Sequence, residues 1–160
     1  MARYIVDSQI DNHEKYYFIR EQESQDIVLL PSKYLMHKKR SKLSPNTIRR
    51  SAGAISYYLN YIDETGIQLD DVWEMPYDKQ QEHFTDYLIW LQAGLHSGDS
   101  YKKKPYNETC NAYLKEVFRF YRFSGQQDES TKQLKVLSDM RIIVHLSLIH
   151  ISEPTRHSLI

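Results

Sequence analysis

A chain of 160 residues that is 41% hydrophobic is long enough for one domain with a buried core and too short for a two-domain enzyme of ordinary size. Its one cysteine, Cys110, excludes an internal disulfide framework and a four-cysteine metal site. No segment reaches the roughly 18 apolar residues of a membrane helix, and the N-terminus lacks the apolar run of a secretory signal, so we expect a cytoplasmic protein with no membrane partner.

The 21 basic and 21 acidic residues balance, but they are segregated along the chain. Seven basic residues and no acidic residue lie between positions 33 and 50, whereas nine acidic residues and one lysine lie between positions 63 and 99. Positions 102 to 122 are basic again. This pattern predicts a dipolar domain whose basic face attracts polyanions although its net charge is zero.

The first twenty residues are rich in β-forming residues that alternate with polar ones, and the polar segment Asp11-Asn12-His13 interrupts them. That pattern predicts a short β-hairpin, which we assign to an N-terminal arm over residues 1–25. Pro31 then suits the first turn of a short helix that ends near Lys39, because the first turn does not use the donor that proline lacks.

The clearest helix start is Ser44-Pro45, a side-chain cap followed by proline at the first helical position. Apolar residues then recur at helical spacing up to a stop near Gly66. The predicted buried stripe is Ile48, Ala52, Ile55, Leu59 and Ile62. A third helix is predicted from about Asp78 to about Gly94, and its apolar face consists of Phe84, Leu88, Leu91 and Leu95.

The fourth predicted helix begins at an Asn107 cap after a polar loop and stops by Gly125. Its apolar stripe is Cys110, Leu114, Val117 and Tyr121. A second stripe, at steps of four, four and three, is Asn111, Lys115, Arg119 and Arg122. We therefore expect one face of this helix to pack and the other to carry positive charge, within a mainly α domain over residues 26–128.

Two segments resemble the core-binding, SAM-like domain of tyrosine recombinases, the phage-integrase family. LSPNTIRRSAGAISYYLNYI, from Leu43 to Ile62, is similar to the family's second helix, which opens with a capped serine and a threonine before an amphipathic run. NETCNAYLKEVFRFYRF, from Asn107 to Phe123, is similar to its fourth helix, where a threonine, a small polar residue, a leucine and an aromatic pair recur. The resemblance covers roughly residues 1 to 144 and implies a four-helix SAM-like bundle.

The resemblance implies that the domain clamps one face of double-stranded DNA, with the second and fourth helices at the major groove. The positions that carry over are Lys39, Arg40 and Lys42 against phosphates, Thr47 and Arg50 on the second helix, and Asn111, Lys115 and Arg119 on the fourth, where Arg122 continues the basic stripe. Lysine neutralises phosphate as a point charge, whereas arginine and asparagine can also make two-point contacts with base edges.

In that family a second domain supplies the arginines and histidine around the phosphate and the tyrosine nucleophile. No part of this chain resembles that domain. We therefore expect a fragment of a recombinase that binds DNA, is not an enzyme by itself, uses no cofactor or metal, and meets other recombinase protomers in a full-length parent.

The last part of the chain is expected to lie outside the DNA-binding domain. Residues 129–145 are expected to begin the linker towards the missing catalytic domain. LSLIHISEPTR, from Leu146 to Arg156, resembles the in-frame translation of a sequencing-library adapter and matches it without a mismatch. We therefore expect residues 146–160 to be a non-native tail.

The remaining reactive residue types have ordinary structural interpretations. Cys110 falls on an apolar stripe and is expected to be a small buried side chain. The helical tyrosines stand beside apolar partners, where packing is their usual role, and no pair of histidines has metal-ligand spacing. The alternative to DNA binding is a helical protein-interaction module, in which the aromatic helices dock a partner helix and the basic loop only keeps the surface soluble.

Overall fold

The computed structural model describes residues 2–97, 105–127 and 132–136. Two strands open the chain, β1 (Tyr4–Asp11) and β2 (Glu14–Glu21). The helices of the described residues are α1 (Leu29–Arg40), α2 (Pro45–Thr65), α3 (Asp71–Glu74), α4 (Tyr77–Gln92) and α5 (Asn107–Gly125), with a 3-10 turn at Leu95–Ser97. The prediction of a mainly helical domain after a two-stranded hairpin is confirmed. The predicted tail, residues 146–160, lies outside the described residues.

A two-residue turn at Asn12 and His13 joins the strands. Both residues have positive φ, 51° and 66°, as a type I′ hairpin turn requires, and this turn matches the twist of the flanking strands. The antiparallel register is continuous from Tyr4 to Asp11, which confirms the predicted hairpin.

The hairpin shares a core with the helices. Ile19 is fully buried, its N–H donates to Ser32 Oγ at 3.1 Å, and its carbonyl accepts from the Val28 N–H at 2.8 Å. On β1, the Asn60 side chain of α2 accepts from the Tyr4 N–H at 2.9 Å and donates to the Tyr4 carbonyl at 3.2 Å. The predicted boundary at residue 25 therefore does not separate an independent arm from the bundle.

α2 begins and ends where the sequence predicts. Ser44 Oγ accepts from the Thr47 N–H at 3.2 Å, and Gly66 closes the helix with a φ of 74°. α5 begins at Asn107, but the residue at the capping position is Tyr106 and no side chain caps the helix, so the predicted Asn107 cap is wrong. The bounds of α1 and α4 agree with the prediction within two residues, and α3 is absent from the prediction.

The predicted apolar stripes form the core. The five stripe residues of α2 are at most 5% exposed, and the four of α5, including Cys110, are at most 1% exposed. Phe84, Leu88 and Leu91 of α4 are buried as well. Leu95 is 61% exposed, because it lies beyond the end of α4, so its predicted place in the core is wrong.

The short segment 132–136 packs into the same core. Val136 is fully buried, and the buried Gln80 side chain of α4 accepts from the N–H groups of Lys135 at 2.9 Å and Val136 at 3.2 Å. Gly125 permits the close approach, since a Cβ there would lie 2.0 Å from the Lys132 carbonyl oxygen. Residues 132–136 of the predicted linker therefore pack against the helical domain; residues 129–131 and 137–145 of the predicted linker lie outside the described residues.

A buried network of hydroxyl groups connects α2, α4 and α5. The Tyr58 hydroxyl of α2 lies 2.8 Å from His83 Nε2 on α4 and 2.7 Å from the Tyr121 hydroxyl on α5. Tyr121 also donates to the Leu69 carbonyl at 3.2 Å. Burial lowers the pKa of His83 to about 4, because the charged imidazolium would lose its hydration there.

We expect His83 to make the fold less stable in acid. Between pH 6.5 and about 4 the unfolded chain binds a proton that folded His83 does not, so the free energy of unfolding falls as the pH falls through this range. The loss is about 3 kcal/mol at most. Urea unfolding of the wild type and of His83→Gln, which has no proton to gain, measures it. The variant should lose less stability in acid, and an identical pH dependence in both proteins would contradict the assignment.

Candidate nucleic-acid interface

The first turns of α2 and the outer side of α5 form the walls of an open groove. Thr47 and Arg50 lie on the α2 wall, and Arg119 lies on the α5 wall beside Thr109 and Ala112. Thr47, Arg50 and Arg119 are exposed. The structure therefore brings Arg119 of α5 to the same groove as Thr47 and Arg50, two predicted site residues that lie far from it in the chain.

A second open groove runs between the end of α1 and the last turns of α5. His37 and Lys38 line it from α1, and Arg119 and Arg122 line it from α5. Because Arg119 borders both grooves, they form one continuous surface. We call it the basic surface and define it as Lys38, Thr47, Arg50, Arg119 and Arg122, together with Lys115, which lines neither groove but is exposed on α5 one turn before Arg119. Sequence reasoning missed Lys38, although it lies in the acid-free run between positions 33 and 50.

The outer face of α5 is close to the predicted basic stripe but not identical to it. Lys115, Arg119 and Arg122 are exposed as expected. The prediction that Asn111 lies on this face is wrong: it is 5% exposed, and its Nδ2 donates to the Asn107 carbonyl at 3.0 Å. Ala112 is exposed on this face instead, and this small residue lines the groove where we expected the larger side chain of Asn111.

A buried carboxylate lies beneath the basic surface. Glu116 is 8% exposed, and the Tyr34 hydroxyl donates a hydrogen bond to it. Its Oε2 lies 3.2 Å from Lys38 Nζ, and its Oε1 lies 3.4 Å from Arg119 Nη1. Two cations from different helices therefore share one negative charge, which fixes their positions.

The other cations of the basic surface are not neutralised in this way. Arg50, Lys115 and Arg122 form no ion pair with any residue that the structure describes. Exposed cations of this kind remain available to an external anion, because no protein carboxylate has to be displaced first.

The basic run that precedes α2 faces a different groove. Lys39, Arg40 and Lys42 line the space between α1 and the outer face of the hairpin. Lys39 Nζ lies 4.0 Å from a Glu14 carboxylate oxygen and 5.3 Å from the centre of the Tyr16 ring, whereas Arg40 and Lys42 are exposed. The structure therefore does not place these three residues in the groove between α2 and α5.

The phenol and thiol groups of the core are held neutral. Burial raises the pKa of Tyr58 well above its usual range, that of Tyr61 to about 12 and that of Cys110 to about 11. Within residues 2–97, 105–127 and 132–136, no group of three or more histidine, cysteine and acidic side chains could hold a metal ion. None of the described helices combines the length and the apolar character that crossing a membrane requires.

Comparison with known proteins identifies no relative of this chain. The chain matches no protein-family model, and no curated protein or solved structure is similar to it. The candidate interface is therefore defined by its own geometry and charge.

Removing the Glu116 carboxylate is expected to destabilise the fold. Glu116→Ala leaves the Tyr34 hydroxyl and the Lys38 ammonium group without their acceptor, at a cost of about 2–4 kcal/mol. Glu116→Gln keeps an acceptor for Tyr34, so its loss should be smaller. Urea unfolding of both variants, with Tyr34→Phe added to each, measures the coupling. Wild-type stability of Glu116→Ala would show that the carboxylate does not hold the two helices.

Proposed function

We propose that this chain is a DNA-binding module that grips duplex DNA through the basic surface, as the core-binding domain of a tyrosine recombinase does. The observation that carries the proposal is the placement of Thr47, Arg50 and Arg119 in one groove. The major groove of DNA is about 12 Å wide and admits an α-helix, and its rims are lined by phosphates that attract exposed cations. A SAM-like arrangement of the four longer helices belongs to this proposal.

The side chains of the basic surface have distinct roles in the proposal. Arg50 and Arg119 carry the planar group that can make two-point contacts with a guanine edge or a phosphate. Lys115 and Arg122 contact phosphates on either side of the position of Arg119. Glu116 helps to order the long Arg119 side chain before binding, but it also neutralises part of the positive charge of Arg119 and Lys38.

The cations before α2 extend the contact rather than form its centre. Arg40 and Lys42 are exposed at the end of α1, and Leu43 borders both α1 grooves, so these side chains lie beside the basic surface. They suit phosphates that flank the central contact. Lys39 contributes less, since Glu14 already lies near it.

The proposal assigns strand cleavage to another domain. In a parent recombinase this module holds the DNA, the catalytic domain and the other protomers complete the clamp, and the fragment alone catalyses nothing. With half of the clamp absent, its affinity for nonspecific duplex is expected to be modest, about 10⁻⁴ to 10⁻⁶ M at physiological salt.

Binding is expected to depend steeply on salt. If four to six phosphates are neutralised, log affinity falls against log salt with a slope of roughly −4 to −5, and the triple variant Arg50→Ala, Lys115→Ala, Arg119→Ala reduces the slope by about 3. Fluorescence anisotropy with a labelled duplex at several salt concentrations measures both. A salt response that is flat, or that the triple variant leaves unchanged, would remove the basis of the proposal.

A matched pair of single variants separates the effect of a lysine's position from the effect of the protein's net charge. Lys115 lies on the basic surface, whereas Lys79 lies on α4, is 68% exposed and pairs with Glu82. Lys115→Ala should reduce the salt slope by about 1, and Lys79→Ala, which removes the same charge elsewhere, should leave it unchanged. Equal effects of the two substitutions would show that only the net charge matters.

Glu116→Gln is expected to strengthen DNA binding. The substitution removes the negative charge beneath the basic surface and frees Lys38 for a phosphate, so the affinity should rise by about threefold to tenfold and the salt slope should steepen by about 1. The same titration in a Lys38→Met background provides the control, because the change in slope should disappear there. Weaker binding by a folded Glu116→Gln protein would indicate that Glu116 acts by positioning Arg119 alone.

A further inference from the structure

One edge of the hairpin has unpaired backbone groups. In an antiparallel pair, residues that exchange hydrogen bonds with the neighbouring strand alternate with residues whose N–H and C=O groups point away from it. The bond from the Gln22 N–H to the Arg3 carbonyl, 2.7 Å long, fixes this alternation in β1. The residues whose backbone groups point away from β2 are Tyr4, Val6, Ser8 and Ile10.

The chain covers only the beginning of this edge. Tyr4 is bonded to Asn60, and the Ser8 N–H is bonded to its neighbour's side chain. The N–H groups of Val6 and Ile10 and the carbonyls of Val6, Ser8 and Ile10 have no hydrogen-bond partner among the described residues. A row of unpaired strand groups is a template for the addition of another strand.

An open groove with a positive charge lies beside this edge. Its lining combines three cations with three aromatic rings: Lys15, Arg49, Arg50, Tyr17, Tyr57 and Tyr113. Asp7 also lines it, but its carboxylate is paired with Arg20 at 3.2 Å. The charge that the groove presents to a ligand is therefore positive.

Gly53 leaves room at the side of the groove formed by α2. A glycine inside a helix costs about 1 kcal/mol relative to alanine, and a Cβ at Gly53 would meet nothing within 4 Å. No described contact of the fold therefore requires glycine here. The absent side chain lets the backbone of a ligand approach α2 between the helix and β1.

We propose that this groove binds an extended acidic peptide segment of a partner protein, which adds to the free edge of β1 as a third strand. Only a peptide offers the alternating N–H and C=O groups that pair with Val6 and Ile10, so the edge favours a peptide over DNA. Carboxylates of the segment lie against Arg49 and Arg50, and every second side chain packs on the aromatic rings. Five residues of edge correspond to about 16 Å, so a segment of about six residues suffices.

The inference goes beyond the proposed DNA-binding function and is independent of it. The free edge and Gly53 do not border the groove between α2 and α5. Arg50 borders both grooves, and it is left unchanged in the variants that test the peptide site.

Gly53 offers a matched pair of variants for the test. Gly53→Ala and Gly53→Leu both raise helix propensity, but only leucine fills the groove. The probe is a labelled, end-capped peptide of about eight residues in which glutamate alternates with valine, and the control peptide has lysine in place of glutamate. The acidic peptide should bind the wild type and Gly53→Ala, lose at least about tenfold in affinity for Gly53→Leu, and slow amide exchange at Val6 and Ile10.

A charge reversal provides the second arm. Arg49→Glu should weaken binding of the acidic peptide and strengthen binding of the lysine peptide, while amide exchange elsewhere in the hairpin stays unchanged. No binding of the acidic peptide to the wild type, equal binding to Gly53→Leu, or equal binding of both peptides to the wild type would overturn the proposal. A dimer of the peptide-free chain that Gly53→Leu abolishes would assign the edge to a second copy and also overturn it.

The DNA-binding proposal and the peptide-binding proposal can be refuted independently of each other. If DNA binds through the groove between α2 and α5, Gly53→Leu should bind duplex within about twofold of the wild type whatever it does to the peptide. Loss of peptide binding with retained DNA binding supports the peptide site. Peptide binding that is unaffected by both Gly53→Leu and Arg49→Glu overturns the peptide site, whether or not DNA binds.

Discussion

The Tyr58 hydroxyl is the contact on which the arrangement of the bundle depends. It is fully buried, so leaving it without a partner would cost about 1–3 kcal/mol, and its partners come from two other helices, His83 from α4 and Tyr121 from α5. These hydrogen bonds therefore fix the rotation of each of the three helices about its own axis as well as the distances between the helices. Because an α-helix turns through about 100° per residue, an inward Tyr121 places Arg119 on nearly the opposite side of α5. The hydrogen bonds of the Tyr58 hydroxyl thus determine which side chains of α5 face the groove.

The segregation of charge in the sequence becomes a property of surfaces in the fold. Most of the acidic residues between positions 63 and 99 lie on or near α3 and α4, away from the groove between α2 and α5. Two other carboxylates, Glu108 and Glu116, do line this groove, and Glu116 differs from the exposed Glu108 because it is buried. A carboxylate on the surface would repel an approaching polyanion, whereas the buried Glu116 carboxylate holds Lys38 and Arg119 in place while it neutralises part of their charge.

Local signals predicted the helices well, and the failures have physical causes. α2 could be predicted because its cap, its first-turn proline, its apolar spacing and its terminal glycine all lie within one short segment. Asn111 could not be placed, because its buried position depends on a bond from its Nδ2 to the Asn107 carbonyl one turn earlier, while its Oδ1 has no hydrogen-bond partner among the described residues. The docking of residues 132–136 depends on Gln80, about fifty residues earlier, and no local pattern reveals such a contact.

The candidate site in the groove between α2 and α5 could likewise be predicted only in part from the sequence. Thr47, Arg50 and Arg119 were selected through a family resemblance, but only tertiary packing brings the two segments to one groove. Lys38 joins them through Glu116, which contacts both Lys38 and Arg119. Whether a residue belongs to the candidate site thus depends on the buried groups that it contacts as well as on its own exposed charge.

Arg50 connects the two proposed functions. It borders the groove between α2 and α5 and also the groove beside β1. Burial raises the pKa of Tyr113, a ring that lines both grooves, and the charge of Arg50 offsets only part of this rise. An acidic strand on β1 would bring negative charge next to the basic surface and engage a cation to which the DNA-binding proposal also assigns a contact. Two polyanionic ligands that share one cation bind with negative coupling, and linkage makes the weakening equal in both directions. If both proposals hold, the position of the Arg50 side chain makes DNA binding and peptide binding mutually antagonistic.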